Sequence, residues 1–234
     1  MKYEKIIAFT LAEVLITLGI IGVVSAMTIP NLISTHKAIR LRSKFLKTHS
    51  TIKQVFQYMG DDGVSMNPED YDADSFYKVF SQYLKGATDC GNYFDKHYKE
   101  PCYMLEKAPE NRKYRSLDGK TLAYQKFFDD GQILLNDGTL LLFENPDKGE
   151  QGKNLVWIFA DLNSASSPPN RLGYDIFAFE MLDGEIRPMG GQGTTYDKDT
   201  YCNPNTTNDR NGITCTQKAV ENSDYFKNLV KTVK

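Results

Sequence analysis

Histidine and tryptophan are scarce in this chain. There are three histidines, His36, His49 and His97, and one tryptophan. The histidines do not cluster, and the four cysteines contain no C-x-x-C, so the usual zinc ligand sets are missing. No serine, histidine and acid fall at a spacing that suggests a hydrolase, and nothing else points to an enzyme. The Gly-rich stretch GGQGTTY at 190–196 is not set in the strand–Gly-loop–helix pattern that a phosphate-binding loop requires. Net charge is only -2, which gives no electrostatic footprint for nucleic acid. No long internal repeat is present. The most extended absence is of charge itself: from Val14 to Thr35 no residue is ionisable.

That charge-free run is long enough to matter. Spanning about 30 Å of hydrocarbon takes about 20 apolar residues in a helix. A cleaved secretory signal has a shorter apolar core and a small-residue cut site after it, whereas here the run leads straight into more helix-like sequence. The segment therefore reads as one retained N-terminal membrane anchor, preceded by Lys2 and Lys5. Beyond it the composition is that of a folded domain. Aromatic residues make up 12% of the chain, which argues for a packed core and against a disordered tail.

One acid, Glu13, sits at the start of the apolar segment AFTLAEVLITLGIIGVVSAMTIP, residues 8–30. An ionisable group in such a position is a functional-site hypothesis that needs a partner. The stretch resembles the N-terminus of type IV pilins and of type II secretion pseudopilins. In that family a prepilin peptidase removes a short basic leader just before a Phe and N-methylates the new terminus. The fifth mature residue is an acid. Counted from Phe9, the fifth residue is Glu13, and Gly22 and Pro30 match the family's later Gly and Pro. The resemblance covers about a tenth of the chain. It implies cleavage between Ala8 and Phe9, with Ala8 replacing the family's usual Gly. It also implies that Glu13 pairs with the terminal amine of a neighbouring subunit, and that Gly22 and Pro30 loosen the helix, Pro30 by losing an N–H and crowding a carbonyl.

After the anchor, residues 31–60 place Ile39, Phe45, Leu46, Ile52, Val55, Phe56 and Met59 at spacings near three and four, an amphipathic helix. Gly60 and the following Asp-Asp-Gly end it. The expected organisation is a leader at 1–8, a transmembrane half-helix at 9–33, an amphipathic half at 34–60 and an extracytoplasmic head at 61–234. Lys37, Arg40, Arg42, Lys44 and Lys47 follow the anchor and outnumber Lys2 and Lys5. Charge asymmetry alone would put the head in the cytoplasm. The leader motif, read by a peptidase on the cytoplasmic face, and the cysteines argue the reverse.

Those cysteines, Cys90, Cys102, Cys202 and Cys215, form two separated pairs with similar short spacings. Four cysteines allow three connectivities; local pairing, Cys90–Cys102 with Cys202–Cys215, is the one favoured here. The second pair flanks the polar loop NPNTTNDRNGIT, which has little core-forming content. Pilins often close a C-terminal region with a disulfide.

In the head, DADSFYKVFSQYLKG reads as a short amphipathic helix. QILLNDGTLLLF reads as two strands around an Asn-Asp-Gly turn. NLVWIFADL and YDIFAFEML are further strands, the latter alternating Ile176, Ala178 and Glu180 against Phe177 and Phe179. DGEIRPMG continues through a turn at Asp183-Gly184. The fold class is therefore α+β: a long N-terminal helix packed on an antiparallel sheet of about four or five strands, a pilin-like arrangement. The loop DLNSASSPPNRLGYD carries Asp161, Asn163, Ser164 and Asp175, oxygen ligands of the kind calcium takes. Some pseudopilins hold calcium in a C-terminal loop; the alternative is a polar crossover between strands. Asn205-Thr-Thr fits a glycosylation acceptor, a pattern short enough to arise by chance.

These readings lead to a minor pilin or pseudopilin, a structural filament subunit in the bacterial inner membrane. Its partners would be the prepilin peptidase, other subunits and inner-membrane lipid, with calcium as the sole candidate cofactor. The alternative is a membrane-anchored extracytoplasmic binding domain that does not polymerise.

Overall fold

The structure is a computed structural model and describes residues 9–93, 102–103, 109–146, 152, 154–196 and 200–232. Ala8 and the rest of the leader, and His97, lie outside the described residues.

Helix α1 runs unbroken from Leu11 to Asp61, 51 residues, or about 75 Å at 1.5 Å per residue. Pro30 lies inside it without ending it. Its two halves differ in what surrounds them. From Phe9 to Ile33 the large apolar side chains are exposed, and the front half is long and apolar enough to cross a membrane. From Ala38 onward one stripe is buried: Ala38, Leu41, Phe45, Thr48, Ile52, Val55 and Met59, with Phe56 beside it. The spacing alternates three and four, which keeps one narrow seam facing the head. Two residues assigned to that seam from sequence, Ile39 and Leu46, are instead exposed. The smaller Ala38 and Thr48 are buried in the seam.

The seam packs on a six-stranded antiparallel meander in the order β1-β2-β3-β4-β5-β6. The strands are β1 Thr88–Gly91, β2 Gly131–Leu134, β3 Leu140–Glu144, β4 Trp157–Asp161, β5 Ile176–Leu182 and β6 Glu185–Pro188. The expected four or five strands fall short by the edge strand β1, whose sequence Thr-Asp-Cys-Gly has no β-rich run. Both anticipated turns form. In the β2–β3 hairpin Gly138 takes φ 82° and Asp137 Oδ1 accepts the Thr139 N–H at 3.1 Å. In the β5–β6 turn Asp183 and Gly184 have φ 53° and 78°. Two successive positive φ angles match the right-handed strand twist.

Alternation in the strands splits the core across the sheet. Leu141, Phe143, Ile158, Ala160, Phe177, Phe179 and Met181 face α1. Helix α2, Phe76–Ser81, covers the same face, as does α4, Tyr225–Thr232. Phe45 of α1, Phe177 of β5 and Phe226 of α4 meet with ring centroids 4.7 to 5.5 Å apart. The other face carries Leu140, Leu142, Trp157, Phe159, Ile176 and Ala178, covered by loops rich in aromatic rings. There Tyr103 stacks on Tyr114 at 4.2 Å, and Phe127 stacks on Phe159 at 5.1 Å. Gln132 clamps the backbone of Tyr103 from both sides, accepting its N–H at 2.9 Å and donating to its carbonyl at 3.0 Å.

Both disulfides are local. Cys90–Cys102 has a Cα–Cα distance of 5.8 Å, and Cys202–Cys215 has one of 5.0 Å. The second ties the polar loop to α3, Cys215–Glu221, which with α4 was not foreseen from sequence. Within that loop Asn211 replaces a core. Its Nδ2 donates to the carbonyls of Asn203 and Thr206 at 2.6 and 2.8 Å, and its Oδ1 accepts the Asn203 N–H at 3.1 Å.

Candidate functional site

Phe9 is 83% exposed at the tip of the apolar helix. Thr10 caps α1, and Glu13 closes a capping box with it. Thr10 Oγ1 accepts the Glu13 N–H at 3.2 Å, while Glu13 Oε2 accepts the Thr10 N–H at 2.8 Å and its hydroxyl at 2.7 Å. Two of the helix's unsatisfied N-terminal donors are thereby used. All these bonds to the carboxylate end on Oε2, which leaves Oε1 for another partner. Further along, a side chain added at Gly19 or Gly22 would meet no atom within 4 Å, so both positions face open space.

The basic residues after the anchor bind the helix to the head. Lys44 Nζ donates to the Leu162 carbonyl at 2.7 Å and the Asp137 carbonyl at 3.2 Å. Lys47 pairs with Asp137 at 2.6 Å, and Lys37 lies 5.1 Å from the Tyr174 ring centre. At least three of the five cations that opposed the assigned orientation thus have partners on the head.

The loop from Asp161 to Asp175 joins β4 to β5. Asp161 and Asp175 are both fully buried. Asp161 accepts the Tyr114 hydroxyl at 2.8 Å and the Asn163 N–H at 3.1 Å. Asp175 accepts the N–H groups of Asn170 and Arg171 at 2.9 and 2.7 Å. Burial raises both carboxyls above their ordinary range. These contacts staple the loop. They leave Asn163 Oδ1 and Asn170 Oδ1, both buried and without a donor among the described residues, as the amide oxygens a cation there would use. Asn163 instead donates through Nδ2 to the Ser167 carbonyl.

A second acidic group was not foreseen. Asp129, Asp130 and Glu144 bring one carboxylate oxygen each within 4.8 Å of one another. Asp129 and Asp130 precede β2, and Glu144 ends β3. Glu144 lies in a cross-strand row with Trp157 and Glu180. Glu180 is satisfied by the Thr195 N–H at 2.7 Å and the Thr195 hydroxyl at 2.6 Å. Glu144 is 7% exposed, and its side chain shares a hydrogen bond with that of Asp129. Burial first, then the neighbouring Asp129 and Asp130, push its carboxyl up to about 11. The signal was present in the sequence. The β2–β3 register pairs Gly131 with Phe143, so one step further Asp130 faces Glu144.

The chain matches no protein-family model, no curated protein and no solved structure. A functional reading rests on the N-terminal segment and on the geometry above.

Proposed function

We propose that this protein is a structural subunit of an extracytoplasmic filament, a minor pilin or pseudopilin of a type IV pilus or type II secretion system. The observation that carries the reading is the division of labour within α1. Its back half presents a single seam to the head, and its front half exposes apolar side chains all round, with an acid at the tip. Lipid covers such a surface while the subunit is stored, and neighbouring helices cover it in a filament. Two disulfides fit a head outside the cytoplasm.

Under this reading a prepilin peptidase hydrolyses the Ala8–Phe9 bond and methylates the Phe9 amine. The amine is cationic. Glu13 Oε1 of a neighbouring subunit accepts it, so each incoming subunit brings one cation and one anion to the growing end. An unpaired carboxylate in hydrocarbon is costly and a paired one much less so, which favours the assembled state and fixes the axial stagger. The outward-facing Gly19 and Gly22 let helices approach closely. The helix is continuous through Gly22 and Pro30 in the single subunit, so any loosening there belongs to the filament.

A membrane-anchored binding domain that never polymerises is the second reading. Its support is the capping box, which gives Glu13 a partner within its own chain. Intact-mass measurement of membrane-extracted protein tests the proposal. A chain lacking residues 1–8 and carrying one methyl group supports the filament subunit. A full-length mass overturns it.

A further inference from the structure

Helix α1 carries no carboxylate between Glu13 and Asp61. Within that stretch Lys37, Arg40, Arg42, Lys44 and Lys47 follow one another closely. Cations on a helix are commonly offset by acids three or four residues away, and here α1 supplies none. The head partners some of them. Lys44 is held by two carbonyls, Lys47 by Asp137, and Lys37 lies against the Tyr174 ring. Arg40 is exposed, and among the described residues its guanidinium has no hydrogen bond and no ion pair.

A cavity of about 250 Å³ lies between this part of α1 and the β4–β5 loop. Lys37, Arg40 and Lys44 line it from the helix, and Asn163, Ser167 and Pro168 line it from the loop. Among the described residues no carboxylate lines it. The exposed Ser167 hydroxyl has no partner among those residues, so a neutral donor borders the same space as Arg40. The loop wall is fixed: Asn163 donates to the Ser167 carbonyl, and Asp175 accepts the N–H groups of Asn170 and Arg171. Cationic donors, a hydroxyl and no acid make a place for an oxyanion.

The height of the cavity along α1 selects the oxyanion. The apolar half of the helix ends at Ile33. Lys37 stands about 6 Å further along the axis and Arg40 about 10 Å, at 1.5 Å per residue. The headgroup layer on each side of the hydrocarbon is about 5–7 Å deep. Helical side chains lean toward the N-terminus, here toward the membrane, and long cationic side chains reach to the interface. A lipid phosphate therefore lies at the depth of these cations.

We propose that the cavity between α1 and the β4–β5 loop holds the phosphate of an anionic phospholipid, with Lys37 and Arg40 on its oxygens and Ser167 donating its hydroxyl. Lys44, half-buried and already held by carbonyls, adds charge behind them. Basic residues beside a membrane attract anionic lipid, and the cavity turns that attraction into a site. The bound lipid seats the head against the bilayer. This site rests on the proposed membrane span of α1 and not on assembly into a filament.

Native mass spectrometry of the full chain, released from a non-ionic detergent, tests this. Phosphatidylglycerol and phosphatidylcholine are offered at equal concentration. They share the phosphodiester and differ in net charge. Phosphatidylglycerol should bind roughly fivefold more tightly, and Arg40→Gln and Lys37→Gln should each remove most of that difference. Arg42→Gln deletes the same charge from an exposed residue that does not line the cavity, and should leave binding unchanged. Near-UV circular dichroism checks that each variant folds. Excess inorganic phosphate should not displace the lipid; displacement would make this a site for free phosphate and overturn the proposal. Equal binding of the two lipids overturns it. So does equal loss in Arg42→Gln and Arg40→Gln, which marks a diffuse charge effect. Full retention in Arg40→Gln also overturns it, and leaves the arginine to another partner, such as a carboxylate of a neighbouring subunit. Alkaline carbonate extraction keeps anchor and site apart. A chain that leaves the membrane overturns both, whereas an anchored chain with no lipid preference overturns the site alone.

Discussion

Thr10 and Glu13 hold each other: the Thr10 N–H reaches Glu13 Oε2 at 2.8 Å, and the Glu13 N–H reaches Thr10 Oγ1 at 3.2 Å. The acid at the tip of the apolar helix therefore has two separable jobs, capping its own helix and, in the proposed filament, accepting a neighbour's amine. Glu13→Gln separates them. A glutamine keeps the capping geometry but removes the charge. Glu13→Val removes both. We expect both variants to stay in the membrane, since each takes a charge out of an apolar segment. Cleavage at Ala8 should survive in both. Recovery in sheared or cross-linked filaments should fall sharply for Val, because breaking a buried pair from one side costs about 3–5 kcal/mol. If charge pairing drives assembly, Gln falls as well. If Gln assembles like the unaltered protein, the cap alone matters and the amine-pairing mechanism is wrong.

The amphipathic half of α1 gives a sharper test of packing. Ile39 and Leu46 are exposed, whereas Leu41 and Ile52 lie in the seam. Ile39→Ser and Leu46→Ser should change head stability by no more than about 0.5 kcal/mol, as surface substitutions do. Ile52→Ala should cost about 2–5 kcal/mol. Denaturant titration followed by Trp157 fluorescence measures both. A large loss at Leu46 would mean that the helix is rotated from the seam described here.

Much of this fold could be read from the sequence because its signals were local. The Asn-Asp-Gly turn set the β2–β3 register, and the alternation of Phe177 and Phe179 against Ile176 and Ala178 named the two faces of β5. The seam of α1 was legible in period and, at Phe45, Ile52, Val55, Phe56 and Met59, in phase, but not at Ile39 and Leu46. Ile39 and Leu46 are as apolar as Leu41 and Ile52, and only the sheet decides which stripe is covered. Strand β1 was hidden because it holds its place through Cys90 and pairing with β2, not through β propensity. Helices α3 and α4 were obscured by a short, polar C-terminal sequence whose few anchors, Phe226 and Leu229, gain meaning only once α1 lies beside them. The Thr10–Glu13 capping box and the Asp130–Glu144 juxtaposition were both readable, the first from its three-residue spacing and the second by extending the hairpin register.

Reduction should weaken the head. Closing a loop of about 15 residues stabilises by about 3 kcal/mol in the chain-entropy view. The Cys202–Cys215 loop has no apolar core of its own and relies on Asn211 and the disulfide. Thermal melts with and without reductant should differ clearly, and Cys202→Ala paired with Cys215→Ala should reproduce part of the loss. Peptide mapping without reduction should recover Cys202 joined to Cys215. Recovery of Cys202 joined to Cys90 would reject the connectivity.

The buried acids fix the sign of the pH dependence. Glu144, Asp161 and Asp175 all have carboxyls raised by burial, Glu144 to about 11. The folded chain keeps protons there that the unfolded chain releases near its ordinary carboxylate range. Their contribution is therefore complete at low pH and is lost as pH rises toward each folded value. His49 acts in the opposite sense. Burial, with Lys53 nearby, lowers its pKa, so it weakens the fold only below its ordinary value of 6.5. Asp118 and Asp137 are lowered as well and act only near or below their ordinary 3.8. Between pH 6.5 and 8.5 Glu144 keeps its proton and Asp161 loses its own near 8, whereas Asp175, raised only to about 6, has already ionised. The stability of the full chain in detergent should fall across that window by up to about 1.4 kcal/mol per pH unit for each carboxyl that stays protonated, seen as a falling melting temperature. Glu144→Gln should flatten the part due to Glu144, since glutamine carries no proton to lose. A flat profile that Glu144→Gln leaves unchanged would show that Glu144 is ionised in the fold.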